Sequence, residues 1–164
     1  MAGRIKAALG SLAFLILAPG VVAGLMPWLI TGWSPLPPGD LPGALRWMGL
    51  LLIAAGLIVI LDAFARFAWE GLGTPAPVAP TRTLVVSGFY RFVRNPMYLA
   101  VASLIFGQAV LFASVGVALY GLVIAGAFLA FVRLYEEPTL REAYGERYVA
   151  YCAATPRWIP RLRR

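Results

Sequence analysis

Four apolar runs, at about 7–30, 44–65, 97–114 and 115–132, dominate this 164-residue chain. Each comes close to, or exceeds, the roughly 20 residues that a helix needs to cross a bilayer. With 61% hydrophobic residues, 13% charged residues and a mean hydropathy of +0.81, the chain carries more apolar surface than a soluble domain of this size can bury. Lipid offers the backbone no hydrogen-bond partners, so runs of this kind must be helical. The expected fold is therefore an all-α integral membrane protein, with four transmembrane helices and a C-terminal cytoplasmic amphipathic helix in a single domain, 1–164. The third and fourth runs meet at 114–116 and predict a tight helical hairpin.

Charge placement sets the expected orientation. Arg4 and Lys6 precede the first run, Arg66, Arg82, Arg91 and Arg94 lie between the second and third, and the rest from Arg133 onward follow the fourth, so that only Arg46 of the 14 basic residues falls on the opposite side. The positive-inside rule makes the basic side cytoplasmic, with both termini there, and the expected location is the inner (plasma) membrane of a bacterium. A net charge of +7 distributed around membrane spans points to anionic lipid headgroups and not to nucleic acid. Cys152 is the only cysteine and there is no histidine, which excludes an intrachain disulfide, a cysteine metal cluster and a neutral-pH imidazole base. Val21-Val-Ala23 looks like a signal-peptide cleavage site, but the apolar run continues through Leu25, Trp28 and Ile30, so the first span is expected to be retained.

The connections are rich in proline. Residues 33–42 read as a short external loop, and 71–80 as an extended or polyproline-like run that leads to a brief apolar stretch at 84–86, a strand or an interfacial dip. After Val132, the residues Glu137, Leu140, Tyr144, Tyr148 and Tyr151 recur at helical spacing on one face. Pro138 predicts a bend, and Gly145 weakens the helix.

Two short polar islands interrupt this pattern: Gly88-Phe-Tyr-Arg-Phe-Val-Arg-Asn-Pro-Met-Tyr98 and the stretch from Tyr135 to Tyr148. The apolar hairpin between them brings both to one side of the membrane. Asn95-Pro96 is a good helix start, with Asn as cap and Pro in the first turn. Together with Arg91 and Arg94 it forms either a site for a carboxylate or phosphate, or an ordinary span start whose arginines grip lipid. Glu136 and Glu137 stand at a helix C-terminus, where the dipole disfavours acidic side chains. They are paired by Arg133 and Arg141, or they receive an ammonium or hydroxyls from a ligand. Asp62 and Arg66, four apart, read as a snorkelling ion pair. Trp69, Tyr90, Tyr98, Tyr135 and Trp158 form an aromatic belt that also suits a cationic ligand. The pairs Gly121 and Ala125, and Ala109 and Ala113, are expected to tighten helix packing.

Over about 71–161 the chain resembles the membrane methyltransferases that include isoprenylcysteine carboxyl methyltransferases and phospholipid N-methyltransferases. The resemblance is carried by Gly73-Thr-Pro, the island 88–98, Glu136-Glu137, Tyr144-Gly145 with Tyr148 and Tyr151, and Pro156-Arg157-Trp158-Ile-Pro160. It implies S-adenosylmethionine as cofactor and methyl donor, a lipophilic acceptor drawn from the bilayer, and no metal. It further implies a cofactor site built from Tyr90, Arg94, Pro96, Tyr98, Glu136, Glu137, Tyr148 and Arg157, with Arg94, Asn95 and Glu137 as catalytic residues. Many members have histidine where this chain has Asn95. Asparagine does not titrate, and a carboxylate acceptor needs no base, so this departure leans toward a carboxylate or an acceptor already deprotonated. Carboxylate, amine and thiol acceptors all stay open. The competing functions are a non-catalytic membrane scaffold or lipid-binding protein, and an NADPH-dependent reductase of the sterol-reductase type, for which no GxGxxG signature is present.

Overall fold

A computed structural model describes residues 2–34, 42–70 and 83–161, with side chains from residue 9 onward. Most of the expected external loop at 33–42, and all of the expected extended run at 71–80, lie outside these residues. Helix α1 (Ala2–Leu15), a π-helical stretch at Ile16–Leu25 and α2 (Met26–Thr31) form one rod, and α3 (Gly43–Trp69) forms the second. A 3-10 turn at Gly88–Arg91 leads into α4 (Pro96–Leu111), which is followed by α5 (Val115–Phe131), a π turn at Val132–Glu136, α6 (Glu137–Tyr144) and α7 (Glu146–Ala154). There is no strand among the described residues. The stretch 84–86 is irregular, with Val85 buried against Ala63 and Tyr90.

Three helical rods are long and apolar enough to cross a membrane: Leu9–Thr31, Gly43–Trp69 and Val115–Tyr144. The third expected span is corrected to α4, of 16 residues, which at 1.5 Å per residue reaches about 24 Å against a hydrocarbon core of about 30 Å. The fourth does not end at Val132. It continues through the π turn into α6, because the wider turn accommodates Pro138, which has no N–H to donate and a ring that crowds the preceding carbonyl. The expected single amphipathic helix after Val132 is also corrected: Gly145, at φ +54°, divides it into α6, which prolongs the rod, and α7.

A proline gap ties the first rod to the others. Pro27 cannot serve as donor to the carbonyl of Ala23 in α-helical register or of Val22 in π-helical register. Side chains from the hairpin supply both bonds. Gln108 Nε2 of α4 donates to the Ala23 carbonyl at 2.6 Å, and the Tyr120 hydroxyl of α5 donates to the Val22 carbonyl at 2.8 Å. Gln108 Oε1 in turn accepts from Trp33 Nε1 at 3.0 Å. A buried amide inside an apolar bundle thus has its main hydrogen-bonding needs met. Gln108→Leu is expected to lower unfolding free energy by on the order of 1–2 kcal/mol, measured by thermal unfolding in detergent, since it strands a carbonyl and an indole N–H.

Helices α3 and α4 run antiparallel and close together. A Cβ at Gly49 would stand 2.9 Å from the Gly107 carbonyl, and a Cβ at Gly107 would stand 2.9 Å from the Gly49 carbonyl, so the two backbones touch. Ser103 Oγ adds a bond of 2.7 Å to the Leu52 carbonyl. Of the small residues singled out from sequence, Ala109 is buried in the core and Gly121 faces Ile105 and Phe106 across the hairpin. Ser114 caps α5 by accepting from the Val117 N–H at 3.2 Å, which fixes the short turn that the sequence predicts.

Candidate active site

The Tyr98–Glu136 contact brings the start of α4 and the end of the α5 rod to the same end of the bundle. The descending tail after α7 closes over both. Arg94 N–H donates to the Pro156 carbonyl at 2.9 Å, and Arg161 N–H donates to the Phe92 carbonyl at 3.1 Å. Asn95 stands at the cap position of α4 but makes no side-chain cap bond. Its Nδ2 donates instead to the Arg157 carbonyl at 3.1 Å, so the expected cap is replaced by a stitch to the tail. Three hydrogen bonds thus hold 92–95 against 156–161.

Within this frame the two glutamates part company. Arg157 donates through Nε and Nη2 to the two oxygens of Glu137, at 2.8 and 2.7 Å, and Arg94 Nη1 lies 3.2 Å from Glu137 Oε1. Arg94 and Glu137 are largely buried, at 12% and 16% side-chain exposure, which puts this pair in a low-dielectric setting where each charge depends on the other. Glu136 has no ion-pair partner among the described residues and accepts one bond, at 2.7 Å, from the Tyr98 hydroxyl. The Tyr98 ring packs against Phe128 at 4.8 Å and meets Trp158 edge-on at 6.5 Å. Neither Arg133 nor Arg141, the neighbours the sequence offers, pairs with either glutamate; the cations come from the opposite island and the tail.

Arg94 also donates to Cys152 Sγ at 2.6 Å, while its Nε is buried with no hydrogen-bond partner. Tyr148 is buried beside Cys152, and the Tyr151 hydroxyl donates to the Tyr90 carbonyl at 2.7 Å, which anchors α7 to the 3-10 turn. Burial pushes the phenols of Tyr90, Tyr148 and Tyr151 well above their ordinary pKa, so all three are neutral hydroxyls near pH 7.

Of the residues expected at the site, Arg94, Glu137, Arg157 and Asn95 form one connected network, Tyr98 and Glu136 form a separate hydrogen-bonded pair beside it, and Tyr148 and Tyr90 are buried close by. Pro96 faces the other way. It lines, with Gly56, Val59, Phe92, Leu99 and Ser103, an apolar groove of about 460 Å³ between α3 and α4. A second cavity, of about 370 Å³, opens between Thr83, Tyr144, Arg147 and Tyr151. The glutamates lie outside the walls of both. Asp62 and Arg66 pair at 2.9 Å as the spacing predicts, and Arg66 also reaches Glu70 and Ser87 at 2.8 Å. This cluster clamps the 3-10 turn: Gly88, at φ +55°, lies so close to Arg66 that a Cβ would meet its Nε at 1.9 Å. Cys152, and the carbonyls of Pro156 and Arg157, carry no signal in the sequence that would mark them as site residues.

A helical membrane protein in which most charged groups of the described residues gather at one end of the bundle is the class that this fold and site define. The chain belongs to the phospholipid methyltransferase family, whose sequence profile matches residues 44–147. That is more than half of the chain, from the start of α3 into α7, and makes it a membrane methyltransferase. The match stops before Tyr148 and Arg157. A comparison with curated proteins found no match.

Proposed function

We propose that the protein transfers a methyl group from S-adenosylmethionine to a lipophilic acceptor at the cytoplasmic face of the membrane. The observation that carries this reading is the convergence of Arg94 and Tyr98 from one island with Glu136 and Glu137 from the other, under Arg157 of the tail. S-adenosylmethionine has an amino-acid end with an ammonium and a carboxylate, and a sulfonium that supplies an electrophilic methyl. The Arg94–Glu137–Arg157 group presents both signs of charge side by side, and the buried Arg94 Nε has a donor still to give. The residues fit that end of the cofactor.

Glu137 and Glu136 hold its polar groups, Arg94 and Arg157 its carboxylate, and Tyr98, Tyr148 and Tyr90 form the surrounding wall. Asn95 orients Arg157 through the tail carbonyl. The site has no metal role to fill, since displacement at a sulfonium methyl needs close approach and exclusion of water. The groove between α3 and α4, lined almost wholly by apolar side chains, suits the hydrocarbon part of an acceptor that arrives through the bilayer. In this reading the chain crosses four times, with α4 the short crossing, and the positive-inside rule favours both termini and nearly all basic residues on the cytoplasmic side of a bacterial inner membrane.

The test is thermal stability of the detergent-purified protein with S-adenosylmethionine, S-adenosylhomocysteine or NADPH. Either adenosyl ligand at a hundred times its dissociation constant is expected to stabilise by about 2.7 kcal/mol, and Glu137→Gln to abolish the shift. Stabilisation by NADPH alone would favour the reductase. No shift with any of the three would favour a non-catalytic lipid-binding protein.

A further inference from the structure

Arg66 is tied to more than a snorkelling charge needs. Asp62, one turn earlier on α3, already neutralises it, with both carboxylate oxygens accepting from Nε at 2.9 and 3.0 Å. Yet Nη1 goes on to Glu70 Oε1 and to the Ser87 hydroxyl, both at 2.8 Å. Ser87 closes the ring by donating to the other oxygen of Glu70. The Thr83 hydroxyl donates to the Glu70 backbone carbonyl at 2.8 Å, so both ends of 83–87 are fastened to the end of α3. Gly88, at φ +55°, leaves room for the guanidinium: a Cβ there would lie 1.9 Å from Arg66 Nε, 2.4 Å from its Cζ and 2.6 Å from Asp62 Oδ2. An ion pair that served only to carry two charges to the interface would need neither the serine nor this glycine.

The short run from this anchor to Arg94 has little slack. Tyr90 N–H returns to the Ser87 carbonyl at 3.0 Å, and Val93 N–H to the Phe89 carbonyl at 3.3 Å. The Tyr90 ring meets Phe67 of α3 edge-on at 5.8 Å, while its carbonyl holds the Tyr151 hydroxyl of α7. Arg94 is thereby delivered to Glu137 and to Cys152. We propose that Arg66 is a positioning residue: through Ser87 and the 3-10 turn, it fixes where Arg94 meets the cofactor. The inference rests on the reading of Arg94 as a cofactor-binding group. The planar fork of a guanidinium lets one side chain bond Asp62, Glu70 and Ser87 at once, which an ammonium on a flexible stem does not reproduce. A small displacement of a binding group is enough to weaken what it holds, so a contact on α3 governs a site that it does not touch.

The experiment compares wild type, Arg66→Lys, Ser87→Ala and Gly88→Ala in detergent, with Gln108→Leu as the control that weakens the opposite end of the bundle. Three quantities are read: the melting temperature without ligand, the Kd for S-adenosylhomocysteine, and the rate at which N-ethylmaleimide reacts with Cys152. That residue is the only thiol in the chain and a direct neighbour of Arg94. Arg66→Lys keeps the charge but loses the fork, and Ser87→Ala removes the bridge from the side of the turn. Both are expected to melt near wild type, to bind S-adenosylhomocysteine about 10-fold more weakly, and to move the Cys152 rate in the direction set by Arg94→Gln. Gly88→Ala, which drives a Cβ into the guanidinium, is expected to change both binding and labelling further. Gln108→Leu lowers the melting temperature and leaves the Kd and the Cys152 rate unchanged. Unchanged affinity in Arg66→Lys and Ser87→Ala, an unchanged Cys152 rate, or a loss of affinity in Gln108→Leu as large as theirs would each overturn the assignment. A wild type that binds no S-adenosylhomocysteine would instead remove the cofactor reading, and the Cys152 rate would still show whether Arg66 holds Arg94 in place.

Discussion

Replacing Glu137 with glutamine is expected to abolish methyl transfer and to cost about 3 kcal/mol of stability, the range found when one member of a buried ion pair is removed. The reason lies in what is left behind. Arg94 keeps 12% of its side chain exposed, its Nε has no acceptor, and its remaining partner is the Cys152 sulfur. Arg157, at 38% exposure, can turn to water, so the penalty falls mostly on Arg94. A double-mutant cycle checks this account. Glu137→Gln combined with Arg94→Gln, which withdraws the orphaned charge, is expected to recover more of the lost melting temperature than Glu137→Gln combined with Arg157→Gln. Equal recovery from both arginines would mean that burial does not set the cost. An unchanged melting temperature in the single variant would mean that the pairs contribute nothing.

That experiment turns on contacts of very different visibility in the sequence. The identities of Arg94, Glu136, Glu137 and Arg157 are legible because each breaks the apolar pattern or matches a family motif. Their pairing is not. Glu136 and Glu137 are neighbours in sequence with nearby arginines on their own helix, and only the return of the tail over the α4 start decides that Arg157 and Arg94 both go to Glu137. Asn95 shows the same limit. Local rules make it a cap, and the tertiary contact with the Arg157 carbonyl takes its amide instead. Hydropathy located the apolar helices, yet it placed the end of the last one at Val132, because hydropathy does not register that a π turn lets a rod run on through Pro138. The Gln108 and Tyr120 bonds to the Pro27 gap were equally hidden, since the orphaned carbonyls belong to a different helix from the donors. A close backbone approach escaped as well: Gly49 and Gly107 lie 58 positions apart on separate helices, and only short-range small-residue spacing draws attention in a single sequence.

Gly107→Val is therefore expected to be among the most damaging apolar substitutions in the bundle. The new Cβ would meet Ile53 Cγ1 at 2.8 Å, the Gly49 carbonyl at 2.9 Å and Ile53 N at 3.0 Å. Two of those three atoms are backbone, so no side-chain rotation relieves the clash and α3 must move away from α4. Overpacking of this kind costs about 3 kcal/mol, and separation of the helices also disturbs the groove that both of them line. Helix α4 carries Tyr98 in its first turn and follows directly on Arg94 and Asn95, so a shift along or away from α3 displaces those groups relative to Glu136 and Glu137 on the α5 rod. Thermal unfolding and methyl transfer are expected to fall together, with the melting temperature lowered even when S-adenosylhomocysteine is saturating. Gly126→Val is the matched control: its Cβ would meet nothing within 4 Å, and it is expected to leave both quantities within the small range of a lipid-facing change. Equal behaviour of the two valine variants would show that helix propensity, and not the contact between α3 and α4, accounts for any loss.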